Sequence, residues 1–393
     1  MDPAGAEEPA PGRVEAARRR LAHRDGERLL AEVERGGDAR PARDAKRVLT
    51  YAVAVPVHAT TLVLLVLGVL LPIVAWGTVF GPVLGGLFLA MAWVLRPRLG
   101  ALPKNAPVLE RASAPALFAL IDEIATVAGT TGVDAVVIDG RFNAGVTTYG
   151  LRQRRMLHLG LGLWEVLTPR QRVAVLGHEL GHYAHGDTRR GVVVGSTLRS
   201  LRVWYYLLAP SRRPGPGSVV VNSLMFLPRW GVYGVLALLD HLSVGAAQRA
   251  EYLADRTAAR AGSSAAAVEL MDRLLIGASV DAELRRQAVV ANTRVGRPVS
   301  RAELEAGLWA NLAAHVRGIP EREYERLRRV SALRGHRVDA THPPTHLRRQ
   351  RVRNDEQYPG LVHLDHDRAA TIGDELADAR RQLAGEALRD TTR

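Results

Sequence analysis

From Val48 to Leu95 the chain carries no charged side chain. A helix of that length, 48 residues, would reach roughly 72 Å at about 1.5 Å per residue. A bilayer core is about 30 Å thick, so the run suits two crossings and exceeds one. The break falls at Gly77-Thr78-Val79-Phe80-Gly81-Pro82, which is rich in turn formers. Helices are therefore expected near 50–75 and 77–95. Soluble core helices rarely run this far without a charge, which sets aside a buried soluble hairpin. A signal peptide does not fit either, because the run is too long and lies behind a charged segment.

Basic residues near the helix ends set the expected orientation. Arg28, Arg35, Arg40, Arg43, Lys46 and Arg47 precede the run; Arg96, Arg98, Lys104 and Arg111 follow it; the connecting loop has none. Both ends of the hairpin, and the rest of the chain unless it crosses again, are placed in the cytoplasm.

The whole chain has 393 residues, 47% of them apolar, enough for a sizeable core. It has no cysteine, which excludes disulfide scaffolds, zinc ribbons, thiol nucleophiles and cysteine-held clusters. Any metal must be held by His, Asp or Glu. The net charge of +13 comes from 53 basic and 40 acidic side chains, interleaved, with 5% aromatics and no nucleic-acid-binding motif. A nucleic-acid partner is not expected; anionic lipid headgroups account for the positive balance more simply. Only Lys46 and Lys104 are lysines. Such an Arg-rich, Lys-poor composition suggests a GC-rich bacterial genome.

Four regions follow. Residues 1–47 form a polar cytoplasmic tail, with a polar helix expected over Val14–Val33; 48–96 form the transmembrane hairpin; 97–350 form the main domain; 351–393 read as a charged, helical accessory tail. Within the main domain a helix is expected over Ala114–Val127. Strands are expected at Val133–Ile138, Asn143–Tyr149 and Arg155–Leu161. Thr168-Pro169-Arg170-Gln171 has the form of an N-cap, a helix-opening proline and a capping box. It opens a helix to about His185. The interval 189–249 is apolar but interrupted by Arg199, Arg202, Arg229 and Asp240. A second membrane hairpin, helices at the interface and a covering layer on the main domain all remain open.

The capped helix carries His178-Glu179-Leu180-Gly181-His182. Histidines at i and i+4 share a face, so both imidazoles reach one ion. Zinc takes nitrogen and oxygen ligands tetrahedrally, and a catalytic site keeps one position for water. Glu179 is placed to take that water's proton. A third ligand is needed, and Glu251, in Ala250-Glu251-Tyr252-Leu253-Ala254-Asp255, is the best placed. Asp255, four residues on, faces the same way and would accept the free N–H of a ligand histidine. The bland alternative for the pair is a solvent-facing acidic patch beside Arg249 and Arg256. His158, His185, His241, His346, His363 and His366 have no role as ligands in this reading.

Several stretches resemble, in order, the membrane-bound zinc metallopeptidases of the HtpX and CAAX prenyl endopeptidase type. They are HELGHYAHGD (His178–Asp187), EYLAD (Glu251–Asp255), THPPTHLR (Thr341–Arg348) and FNAG (Phe142–Gly145). The resemblance covers roughly Leu49 to Arg349. It implies an α+β, mostly helical chain: the membrane hairpin joined to a gluzincin-type catalytic domain with a small sheet. It implies one Zn2+ per chain, held by His178, His182 and Glu251, with Glu179 as base. Asn143 and Ala144 would open an edge strand that pairs with an extended peptide, and His342 and Arg348 would stabilise the oxyanion. The expected activity is hydrolysis of peptide bonds in misfolded or membrane-proximal proteins at the cell membrane, with the site facing the cytoplasm. The rival from another class is a membrane-anchored scaffold with a structural zinc and no turnover.

Overall fold

The structure, a computed structural model, describes residues 45–96, 100–184, 187–210, 215–293, 300–333 and 343–389. The helix expected over Val14–Val33 lies outside these residues. The chain divides into two compact units, one built from 102–185 and 248–393 and the other from 39–101 and 186–247.

The second unit is helical. Helix α1 runs from Ala45 to Val74 and α2 from Phe80 to Leu95. The turn between them starts earlier and is longer than the sequence suggested. Thr78 Oγ1 donates to the Ala75 carbonyl and accepts from Gly81 N, holding 75–79 outside both helices. That leaves α2 with 16 residues. Its length is about 24 Å, short of the roughly 30 Å of a bilayer core. The two helices pack through small residues: a Cβ on Gly85 would lie 2.4 Å from Pro72 Cγ, and one on Gly68 would lie 2.8 Å from Leu89 Cγ. Helix α6 (Asp187–Leu207) also packs on α1. His58 Nε2 on α1 lies 2.9 Å from Thr197 Oγ1 and 3.3 Å from Ser196 Oγ on α6, a half-buried polar contact.

The outward faces of this unit are apolar, with Leu62 and Val69 exposed on α1 and Phe80 and Trp93 on α2. The long helix α7 (Pro216–Gly262) contributes its first part here and continues into the other unit from Gln248. Val219, Leu224, Leu227 and Trp230 are exposed on that first part. Val48–Val74 and Gly217–Gly262 are long and apolar enough to cross a membrane. Arg229, one of the charges that interrupt the apolar interval, places its guanidinium 4.5 Å from the Tyr205 ring centre.

The first unit is mostly helical around a small mixed sheet. Its strands are β1 (Val108–Leu109), β2 (Ala135–Asp139), β3 (Ala144–Tyr149) and β4 (Arg154–Gly160), in the order β1-β2-β4-β3. β4 pairs parallel to β2 and antiparallel to β3, which leaves β3 at the edge. The position matches the pattern of side chains. β2 is apolar and buried, as a strand covered on both faces should be, whereas every residue of β3 is only half-buried. Helix α3 (Pro115–Ala128) covers the sheet with Leu117, Phe118, Ile121 and Ile124. Between the sheet and the long α5 (Pro169–Ala184) lies the short α4 (Leu161–Trp164), which buries Trp164.

Four helices follow α7: α8 (Ser264–Leu274), α9 (Gly277–Asn292), α10 (Arg301–Arg317) and α11 (Glu321–Leu333). The chain closes with α12 (Thr345–Asn354), α13 (His366–Glu375) and α14 (Ala377–Arg389). The segment read as an accessory tail is part of the core. Leu364, Ile372, Leu376, Leu383 and Leu388 are buried in the same apolar cluster as Phe118 and Trp164. Glu375 reaches back to the start of α3, accepting from Ala116 N at 2.7 Å and Leu117 N at 2.9 Å. The high charge of this segment hid its apolar stripe.

Candidate metal centre

Local chemistry starts α5 where it does. Thr168 N donates to Gln171 Oε1 at 3.1 Å, Gln171 N donates to Thr168 Oγ1 at 3.4 Å, and Pro169 takes the first helical position. Val173, Leu176 and Leu180 are buried and fix the rotation of the helix. Two glycines on another face let α7 come close. A Cβ on Gly177 would lie 3.0 Å from Ala261 Cβ, and one on Gly181 would lie 2.8 Å from Ala254 Cα. Gly177 and Gly181 are four apart and oppose Ala254, Ala258 and Ala261, so two backbones approach with only small residues between them.

This close approach brings Glu251 to the histidines. His178 Nε2 and His182 Nε2 are 3.3 Å apart. His178 Nε2 lies 3.6 Å from Glu251 Oε2, and His182 Nε2 lies 3.6 Å from Glu251 Oε1. Tetrahedral zinc with ligands at about 2.0–2.1 Å holds those ligands roughly 3.3–3.5 Å apart, so the observed spacing fits the ion. Among the described residues these three form the one cluster of metal-binding side chains. The chemistry of the donors fits as well. Asp255 Oδ1 lies 3.1 Å from His178 Nδ1. With a proton on Nδ1 for this partner, the Nε2 lone pair points at His182 and Glu251, where a metal ion would be met by all three donors.

Glu251 and Asp255 are almost fully buried, and so is Arg348 on α12, which pairs with both. Arg348 Nε donates to Asp255 Oδ2 at 2.8 Å and Nη2 to Oδ1 at 2.6 Å, while Nη1 sits 3.1 Å from Glu251 Oε2. Burial alone would raise the Asp255 carboxyl. The Arg348 charge and its fork, with His178 adding, outweigh that and hold the group well below the usual carboxylate range. The guanidinium expected at the oxyanion is thus engaged by the two acids. Glu179 is buried in the same helix turn as His178, and its charge acts on Arg348 and on Tyr183.

Asn143 is exposed just before β3, where its carbonyl accepts from Gly160 N at 2.9 Å; Ala144 opens the strand opposite Leu159. His342 and Thr341 lie outside the described residues, as does His185. His346, read as a surface residue, is half-buried beside Arg349.

Tyr183 was not singled out in the sequence. Its hydroxyl lies 2.5 Å from the Thr147 carbonyl of β3, and it accepts from Met156 N of β4 at 3.1 Å. Burial pushes its phenol pKa up. Tyr183 thereby ties the histidine helix to the edge strand. Its place directly after His182 gives no signal of this, because the partners are backbone atoms of another element. The glycine pair at 177 and 181 did leave a signal: small residues four apart on a helix that must meet another one.

Two imidazoles four apart, a buried carboxylate from a second helix and a glutamate directly after the first imidazole define a metallopeptidase-type centre. Known sequences give it a family. Residues 112–356 match the profile of peptidase family M48, and the chain belongs to that family as an HtpX-like metallopeptidase. A protease HtpX homolog of Pyrobaculum calidifontis is 30% identical over 267 residues, covering 65% of this chain and 70% of the relative. A protease HtpX homolog of Methanothermobacter thermautotrophicus is 29% identical over 115 residues, 28% of this chain and 43% of that relative. No solved structure matches.

Proposed function

We propose that this chain is a membrane-integrated, zinc-dependent endopeptidase. The observation that carries the reading is the convergence of His178, His182 and Glu251 within ligand spacing, with Glu179 on the same helix. His178, His182 and Glu251 would hold the zinc, which would supply an acidified water and a Lewis acid there. Glu179 takes the proton of the attacking water and returns it to the leaving amine. Asp255 fixes the tautomer and orientation of His178, and Arg348 fixes Asp255. With its fork engaged in this way, Arg348 acts as a positioning residue, and His342 is left as the group for the oxyanion. The open edge of β3, starting at Asn143 and Ala144, pairs with the substrate backbone and accepts many side-chain sequences.

The apolar outward faces of α1, α2 and the first part of α7 support a membrane location. The flanking arginines favour a site facing the cytoplasm. Misfolded or membrane-proximal proteins are the substrates such a placement suits.

The test is cleavage of casein by the purified, zinc-loaded chain in detergent, beside Glu179→Gln prepared identically. Loss of cleavage in the variant at equal bound zinc is the expected result. Equal cleavage by both would assign the activity to a contaminant. Zinc bound one per chain without cleavage of casein or of unfolded membrane proteins would favour the scaffold.

A further inference from the structure

Among the described residues no large apolar side chain is more exposed than Leu151, at 89%. It sits at the tip of the β3–β4 hairpin, in Gly150-Leu151-Arg152-Gln153. The turn is built, not loose. Gln153 N donates to the Gly150 carbonyl at 3.2 Å, Gln153 Nε2 donates to the same carbonyl at 3.2 Å, and Thr148 Oγ1 donates to Gln153 Oε1 at 2.8 Å. Gly150 takes φ +68° and Gln153 φ +50°, both left-handed. This network holds Leu151 away from the protein.

The hairpin itself carries charge of one sign, and Asp134, just before β2, meets its base by accepting from Arg155 N at 2.7 Å. No Asp or Glu occurs from Gly140 to Trp164. Arg152 and Arg154 are exposed on either side of Gln153, and neither pairs with a carboxylate among the described residues. Arg155 is engaged elsewhere, donating to Thr130 Oγ1 and the Thr131 carbonyl.

We infer that this tip is a membrane contact of the catalytic unit, with Leu151 dipping into an anionic bilayer and Arg152 and Arg154 bound to lipid phosphates. A single apolar side chain at a narrow tip offers far less than the roughly 1,000 Å² that a specific protein interface buries. A bilayer surface asks for no shape complementarity: it takes an apolar wedge at the acyl boundary and cations among the headgroups. The contact would steady β3, whose free edge is the peptide-pairing strand, against the surface from which membrane-proximal segments emerge. The inference rests on the membrane location proposed above.

The chain has no cysteine, so Leu151→Cys gives one labelling site. The full-length variant, carrying an environment-sensitive fluorophore there, is reconstituted into phosphatidylcholine vesicles and into vesicles with equal parts phosphatidylglycerol. Asp378→Cys, also highly exposed in the catalytic unit, provides the water-facing reference. In anionic vesicles the label at 151 should shift to the blue. A nitroxide placed shallowly on the lipid chains should quench it at least about twofold more than in neutral vesicles. Arg152→Glu with Arg154→Glu should abolish both signals. A label at 151 as wet as that at 378 in both vesicles overturns the inference. So does a label that responds only to casein, added to the Glu179→Gln background. A chain that fails to float with either vesicle overturns the membrane reading beneath it, which flotation reports independently of the label.

Discussion

Arg348 grips Asp255 with a two-pronged fork, at 2.8 and 2.6 Å, and Asp255 in turn lies 3.1 Å from the far nitrogen of His178. The arginine therefore braces the metal position through both acids, since its Nη1 also lies 3.1 Å from Glu251 Oε2. Asp255→Asn should weaken zinc binding by about 10–100-fold, because the histidine loses its orienting carboxylate. Arg348→Ala removes the guanidinium shared by two buried acids and should destabilise the catalytic unit by about 3–5 kcal/mol. Arg348→Lys keeps the charge, loses the fork, and should fall between. Chelator competition and thermal unfolding in detergent read both effects. If Arg348→Lys keeps wild-type zinc affinity and stability while kcat collapses, the guanidinium acts on the reacting carbonyl.

The approach of α5 to α7 is the geometric condition for the centre, and Gly181 is a tight point of it beside the histidines. Alanine there would bring its Cβ to 2.8 Å from Ala254 Cα, a backbone atom that cannot turn aside. Gly181→Ala should cost about 1–3 kcal/mol and lower zinc content as Glu251 moves away from the histidines. Gly86→Ala in α2 meets nothing within 4 Å and serves as the control. A Gly181→Ala variant with full zinc content and unchanged unfolding temperature would show that the helices part without cost to the site.

Much of this arrangement was legible because it is local. Pro169, with Thr168 and Gln171, marks the start of α5; four-residue spacing puts His178 with His182 and Glu251 with Asp255; a continuous apolar, β-branched run marks β2. What the sequence concealed was long-range. Nothing near Arg348 reveals that its partner is a carboxylate 93 positions earlier. Nothing near Tyr183 points to a carbonyl at Thr147. The run from Pro216 to Gly262 looked like an apolar segment followed by a separate glutamate helix; it is one helix, because Arg249 and Arg256 interrupt its hydropathy without interrupting its backbone.

Tyr183 offers a way to separate metal binding from peptide pairing. Phenylalanine keeps the ring beneath Arg155, 4.7 Å away, and removes only the hydroxyl that meets Thr147 and Met156. Leaving those buried backbone groups without their partner should cost about 1–3 kcal/mol, concentrated on the β3 edge. Zinc content should not change, and KM for an extended peptide should rise more than kcat falls. A fall in kcat alone, with KM intact, would place the hydroxyl in the chemistry instead.

The last two helices carry the clearest stability prediction, because their charge disguises their burial. Ile372, Leu376, Leu383 and Leu388 line one apolar stripe and pack in the cluster that holds Phe118 and Trp164. Arg380 pins the stripe by forking onto Glu165 with both distances at 2.7 Å, and Trp309 Nε1 donates to the Arg380 carbonyl at 3.0 Å. Glu375 meanwhile caps α3, the helix that covers the sheet. Glu375→Ala should cost about 1 kcal/mol, the usual value of an N-terminal cap, without touching zinc affinity. Deleting residues 361–393 strips one wall from the core, and the catalytic unit should then fail to fold. Thermal unfolding of the point variant and limited proteolysis of the truncated chain, both in detergent, measure these effects. A truncated chain that resists protease and still binds zinc would return the segment to the status of an appendage.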